Sequence, residues 1–174
     1  ACQMLYHGSL ALRNEQSVKA LKSLLQASPG IVFLDVNLRA PWWNKTAVLE
    51  MLNHAHWVKL NEEELNFLYP SDKDLKNRLA DFNTELNLTG VIVTHGEKGA
   101  EILTADKQYY SIKPEKSADI ADTVGAGDAF SSVVIMGLKN NWPLSETIKR
   151  AQQFASAIVQ KRGAVVNDRG FYNN

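Results

Sequence analysis

The sequence predicts an α/β fold with a mostly parallel sheet, and three observations carry that prediction. Short apolar runs alternate with amphipathic stretches along the whole chain. The apolar runs at residues 31–34 and 90–94 are continuous rather than alternating, as expected of strands buried on both faces. The composition is globular, with 45% apolar and 22% charged residues in a chain of 174. That length suits one ordinary domain with a substantial core.

The elements follow in order. Residues 4–6 read as a strand ending at His7-Gly8-Ser9, and Val18, Leu21, Leu24 and Leu25 recur at helical spacing. A strand at 31–34 leads into a loop from Asp35 to Trp43. Residues 46–55 form a helix with Val48, Leu49 and Leu52 inward. A strand at 57–60 runs into a helix from Asn61, with Leu65 and Leu68 on one face. Leu75, Leu79 and Phe82 mark another helix over 72–86. After the strand at 90–94, residues 100–103 and 108–112 pair as a hairpin around Ala105-Asp106-Lys107. Phe130, Val133, Val134, Gly137 and Leu138 outline a helix. A last one spans 145–162, with Ile148, Ala151, Ala155, Ile158 and Val159 on its buried side. No repeat interrupts the pattern, and the only linker-like stretch is a Pro/Ser/Lys loop at 113–118. The expectation is one domain over 1–174.

Bulk chemistry narrows the function classes. Lys plus Arg and Asp plus Glu both number 19, so the formal net charge is zero, with no basic footprint for nucleic acid or an anionic membrane. There is one cysteine, Cys2, and the four histidines lack ligand spacing, so neither an intrachain disulfide nor a Cys/His metal cluster is expected. No apolar run is long enough to span a bilayer. Cytoplasmic location is the default expectation. The start, Ala1-Cys2-Gln3, has no basic leader and no initiator methionine, which reads as a piece of a longer chain.

The most informative segment is Asp122-Thr123-Val124-Gly125-Ala126-Gly127-Asp128-Ala129-Phe130. Small residues from Gly125 to Gly127 let backbone amides approach a ligand, and a helix start adds unpaired N–H groups and partial positive charge. Asp128 sits in the same first turn. A carboxylate beside a phosphate cradle is unfavourable unless it handles a proton, which points to phosphoryl transfer to a hydroxyl. A tight turn with ordinary N-terminal charge compensation explains the tripeptide alone equally well.

The full string closely resembles the second signature of the PfkB (ribokinase-like) family of carbohydrate kinases, D-T-x-G-A-G-D-x-F. Other segments match in the family's order over about residues 5–166. The resemblance implies a three-layer ribokinase-like fold that binds ATP and Mg²⁺, with K⁺ as a candidate activator. It implies transfer of the γ-phosphoryl group to a sugar or sugar-acid hydroxyl, with Asp128 as base and acceptor contact and the amides of Gly125, Ala126 and Gly127 as the oxyanion cradle.

Asn61-Glu62-Glu63-Glu64 is a capping-box pattern by itself, and it resembles the family's N-x-x-E. Asn61 and Glu64 would then organise Mg²⁺ and phosphate through water, while Glu62 and Glu63 read as solvated face. Thr94-His95-Gly96 resembles a nucleotide loop, making Thr94 and Gly96 nucleotide contacts, or it is a Gly-rich turn. Asp122 resembles the family's monovalent-cation position, or it caps a loop. Asp35-Val36-Asn37-Leu38-Arg39 followed by Trp42 is similar to the fructokinase and 2-keto-3-deoxygluconate kinase branch, which places Arg39 near sugar or phosphate. The run 151–157 and the closing Gly163-Ala164 resemble the adenine side, or an apolar helix face and a turn.

No Gly-Gly pair occurs, so the family's first signature is missing. The resemblance then implies a C-terminal nucleotide-binding and catalytic portion, expected to lack the family's N-terminal strands and lid and to be inactive alone. A homo-oligomer is compatible with this reading. A nucleoside or vitamin kinase of the same fold, and a non-catalytic nucleotide- or protein-binding remnant, are the alternatives.

Overall fold

The computed structural model describes residues 2–27, 30–114, 121–163, 166 and 170–171. Six strands form one sheet in the sequential order β1-β2-β3-β4-β5-β6. They are β1 (Met4–Gly8), β2 (Ile31–Asp35), β3 (Trp57–Asn61), β4 (Gly90–Thr94), β5 (Ala100–Thr104) and β6 (Tyr109–Ile112). The first four are parallel, joined by helical crossovers, and β5 runs antiparallel to β4. The sheet is therefore mixed with a parallel majority, as the apolar runs required.

The helices are α1 (Glu15–Gln26), α2 (Lys45–Leu52), α3 (Glu62–Leu68), α4 (Leu75–Glu85), α5 (Ala126–Lys139) and α6 (Leu144–Ile158). Short polar side chains start most of them. Asn14, Asn44, Asn61 and Asp74 each accept hydrogen bonds from first-turn amides of α1 to α4, which satisfies donors that the helix itself leaves open.

The chain divides into two compact units. One comprises residues 1–96 and 100–111, the other residues 97–99 and 112–174. In the first, Leu34, Val58, Leu60, Val91 and Val93 pack with Val48 and Leu52 of α2, Leu65 of α3, and Leu79 and Phe82 of α4. The alternate strand positions Phe33, Trp57, Ile92 and Ile102 are also buried, so both sheet faces are dry. The second unit is built on the α5–α6 hairpin, where the Cα of Gly137 faces the side chain of Thr147.

Helix ends depart from the periodicity reading. The helix expected over 46–55 stops at Leu52, because the amides of His54 and Ala55 bond back only three residues, to Met51 and Leu52. The helix expected over 72–86 starts only after the Asp74 cap. The helix expected to reach 162 ends at Ile158. There the Val159 carbonyl accepts from the amides of Ala121 and Asp122 at 2.8 and 3.1 Å, while the Gly163 amide donates to the Asp122 carboxylate at 3.0 Å. Both partners of the next helical bond are thus engaged elsewhere. Residues 115–118 of the expected loop, and Ala164 of the expected closing turn, lie outside the described residues.

Candidate active site

In the first unit, the candidate residues collect at the carboxyl ends of β2, β3 and β4, where ligands gather in parallel sheets. Asn61 is opposite Thr94 in the β3–β4 register, and Asp35 is opposite Lys59 in the β2–β3 register. The Asn61 side chain accepts from the Glu64 amide at 2.8 Å, and Glu64 Oε2 accepts from the Asn61 amide at 2.9 Å, closing a reciprocal capping box. Glu64 Oε1 reaches further and accepts from the Leu38 amide at 2.7 Å. Burial pushes the Glu64 carboxyl above its ordinary range, against the pull of those two amides.

Asn61 and Glu64 thus already spend their inward oxygens on backbone. Hard oxygen atoms suit Mg²⁺, and Mg²⁺ keeps much of its water, so the pair fits an ion held through water better than one ligated directly. Among the described residues no group of three or more His, Cys, Asp or Glu side chains could hold a metal. Asp122, in the second unit, accepts from the amides of Val124 and Gly163, both at 3.0 Å, and these bonds hold its carboxyl below the usual range. In this arrangement it clamps the loop before α5 to the turn after α6.

The acceptor-side candidate Arg39 is exposed and follows a tightly tied segment. Asn37 there has φ 43°, a left-handed backbone that Asn tolerates better than most residues. Gly96, also left-handed at φ 59°, opens a short turn after β4 with nothing near the place of a Cβ.

The second unit holds the phosphoryl-transfer candidates. Gly125 caps α5 at φ 84°, a conformation that disfavours any side chain. The helix starts at Ala126, so Ala126 and Gly127, expected in a loop before it, belong to its first turn, which also carries Asp128 as expected. The Ala126 amide donates to the Thr123 carbonyl at 3.3 Å, leaving the amides of Gly127 and Asp128 as the first-turn donors without a helical partner. Asp128 is exposed.

Two features escaped the sequence reading. Glu62, read as solvated face, pairs with His95 Nδ1 at 3.0 Å; the two are 33 positions apart, and nothing local signals the contact. Lys59 is buried, and its ammonium lies 2.8 and 2.9 Å from the two carboxylate oxygens of Asp35. A lysine inside an otherwise apolar strand, beside a strand ending in aspartate, was the available sign.

Comparisons with known proteins agree on one family. The profile of the pfkB family carbohydrate kinase matches residues 1–168. Fructokinase-2 of Oryza sativa subsp. japonica is 28% identical over 94% of this chain and 52% of its own length. A fructokinase of Salmonella thompson is 32% identical over 95% of this chain and 80% of its own. A crystal structure of fructokinase from Vibrio cholerae O395, bound to fructose, ADP and calcium ion, superposes with a TM-score of 0.79 at 26% identity, over 97% of this chain and 59% of that one. The chain spans about half the length of several curated relatives it matches. The sheet, its helical crossovers and the signature at the start of α5 together have the ribokinase fold, and the chain belongs to the PfkB family of carbohydrate kinases.

Proposed function

We propose that residues 1–174 are the nucleotide-binding and catalytic portion of an ATP-dependent sugar or sugar-acid kinase of the fructokinase branch. The observation that carries this reading is Asp128 in the first turn of α5, behind the left-handed Gly125 cap and beside first-turn amides with no helical partner. The base takes the acceptor hydroxyl proton as the hydroxyl oxygen bonds to the γ-phosphorus. The bond from that phosphorus to ADP breaks, and ADP leaves with the electron pair. Amides at the helix start stabilise charge on the transferring group. Since the transition state is loose, positioning and neutralisation outweigh base strength. Asn61 and Glu64 would hold Mg²⁺ through water, and the ion would supply charge neutralisation for the phosphates. Thr94 and Gly96 contact the nucleotide, Arg39 contacts the acceptor, and Asp122 is the candidate K⁺ position.

Support for a sugar acceptor comes from the fructokinase relatives and from the structure solved with fructose and ADP. A nucleoside-like acceptor is favoured by one specific finding. The aminoimidazole riboside kinase of Salmonella enterica, solved with aminoimidazole riboside and an ATP analogue, superposes at a TM-score of 0.78 and 25% identity. An ATP-consumption assay on the full-length protein, with fructose, 2-keto-3-deoxygluconate, ribose and nucleosides as acceptors, decides between them. Fructose- or sugar-acid-dependent ADP release is expected. Turnover on nucleosides alone would move the protein to the second reading, and nucleotide binding without turnover would leave a binding remnant.

A further inference from the structure

The segment that leads to Arg39 is tied down on three sides. The Val36 amide donates to the Lys59 carbonyl at 2.9 Å, and the Val36 carbonyl accepts from the Ser9 amide at 3.4 Å. Ser9 Oγ donates to the Asn37 carbonyl at 3.1 Å. The Leu38 amide donates to Glu64 Oε1 at 2.7 Å. At its start, the Asp35 carboxylate receives both contacts from the Lys59 ammonium. Three groups of the β3–α3 corner therefore act on three residues of the segment: the Lys59 side chain on Asp35, the Lys59 carbonyl on Val36 and the Glu64 carboxylate on Leu38.

Stability is a poor explanation for the charged part of this arrangement. Lys59 and Asp35 are both nearly solvent-free, at 6% and 4% exposure. Removing two charges from water carries a large desolvation penalty, and apolar pairs of similar volume are often as stable or more so. What an ion pair adds is direction: the ammonium sits between both carboxylate oxygens and fixes the end of β2 relative to β3. Glu64 does the same for the turn, three residues on. The left-handed Asn37 lies between these two anchors.

We propose that Lys59 is a positioning residue for the acceptor side. Its pair with Asp35, together with the Glu64–Leu38 bond, holds the segment from Asp35 to Leu38, and so the point from which Arg39 is presented at the carboxyl end of the sheet. The corner that carries the N-x-x-E residues thereby also shapes the acceptor side. This inference rests on the sugar-kinase reading for its kinetic consequence, but its structural core does not.

The test uses two variants. Lys59→Met leaves the Asp35 carboxylate buried without the ammonium beside it, which threatens folding. The double variant Asp35→Leu/Lys59→Met removes both charges and is expected to fold. On the 174-residue chain, amide hydrogen exchange read by NMR should show the Leu38 amide of the folded double variant exchanging at least about tenfold faster, with the β4 amides of Val91 and Val93 unchanged. In the full-length enzyme the same variant should raise the acceptor KM about tenfold or more while the nucleotide Kd stays within about twofold. An unchanged Leu38 exchange rate overturns the proposal. So does a parallel rise in acceptor KM and nucleotide Kd, which would mean general loosening. If the unaltered protein turns over no sugar, the functional reading fails, and the exchange measurement still decides the positioning role.

Discussion

At the scale of single residues, the proposed role of Asp128 is to take a proton. A positioned general base contributes on the order of 10²–10⁴-fold to a rate, and Asn is nearly isosteric with Asp. Asp128→Asn in the intact enzyme should therefore remove most turnover while nucleotide affinity stays near normal, as kcat and a calorimetric Kd would report. A kcat within about threefold of the parent would take Asp128 out of the mechanism. His7, on β1, shows the same logic applied to stability. Its ring nitrogens are buried, and burial pushes the imidazole from 6.5 down to about 4. Nearby His54 adds a smaller push in the same direction. The folded state thus binds the proton less well than the unfolded chain. The stability this brings is complete above pH 6.5 and is lost as pH falls towards 4. Urea unfolding should show the parent losing about 1–2 kcal/mol more than His7→Leu between pH 7 and pH 5. Equal losses would mean that His7 takes up its proton in the folded state at no cost.

At the scale of elements, packing can overrule propensity, and α5 gives a clean case. Gly137 lies inside this helix, where Gly costs about 1 kcal/mol relative to Ala. A Cβ there would run into the Thr147 side chain of α6, whose hydroxyl donates to the Pro143 carbonyl at 3.1 Å. Overfilling a close contact costs about 1–3 kcal/mol, so the clash outweighs the propensity gain. Gly137→Ala should lower stability in chemical denaturation, and a stabilised variant would show that the two helices can separate at no cost. The same balance decides what the sequence could reveal. Continuous apolar runs such as 31–34 and 90–94 identify strands because every position of a doubly covered strand must be apolar. Asn61 and Glu64 were legible as a capping box because that motif is local. The end of α6 was not legible, since Asp122, far upstream, takes the Gly163 amide that a further turn would need. Nor was the Glu62–His95 pair, which exists only once β3 and β4 lie side by side. Glu64 shows both sides: its partnership with Asn61 is written in the spacing, whereas its bond to Leu38 joins residues 26 positions apart.

At the scale of the whole chain, folding and catalysis should separate. The 174 residues contain a continuous core in the first unit, with Leu34, Val58, Leu60, Val91 and Val93 at or near zero exposure, and a helical hairpin in the second. Purified alone, the chain should give a cooperative unfolding transition. It should not phosphorylate a sugar efficiently. Holding an acceptor hydroxyl against the γ-phosphate can supply roughly 7–11 kcal/mol of a barrier, so even a small loss of orientation is expensive. The candidates described here for that task amount to Arg39 on the tied segment and Asp128 at α5, a sparse set for gripping a polyhydroxylated ring. Curated fructokinases that match this chain carry about as much sequence again. The β1 edge has a separate consequence. Among the described residues the sheet pairs β1 only with β2, and Tyr6 on it is 45% exposed. An edge strand at the end of a sheet templates strand addition, so the isolated chain should self-associate with rising concentration, as sedimentation velocity would show. ADP production by the isolated chain that is robust and sugar-dependent would overturn the catalytic half of this prediction, and would place the acceptor site within residues assigned here to nucleotide and metal.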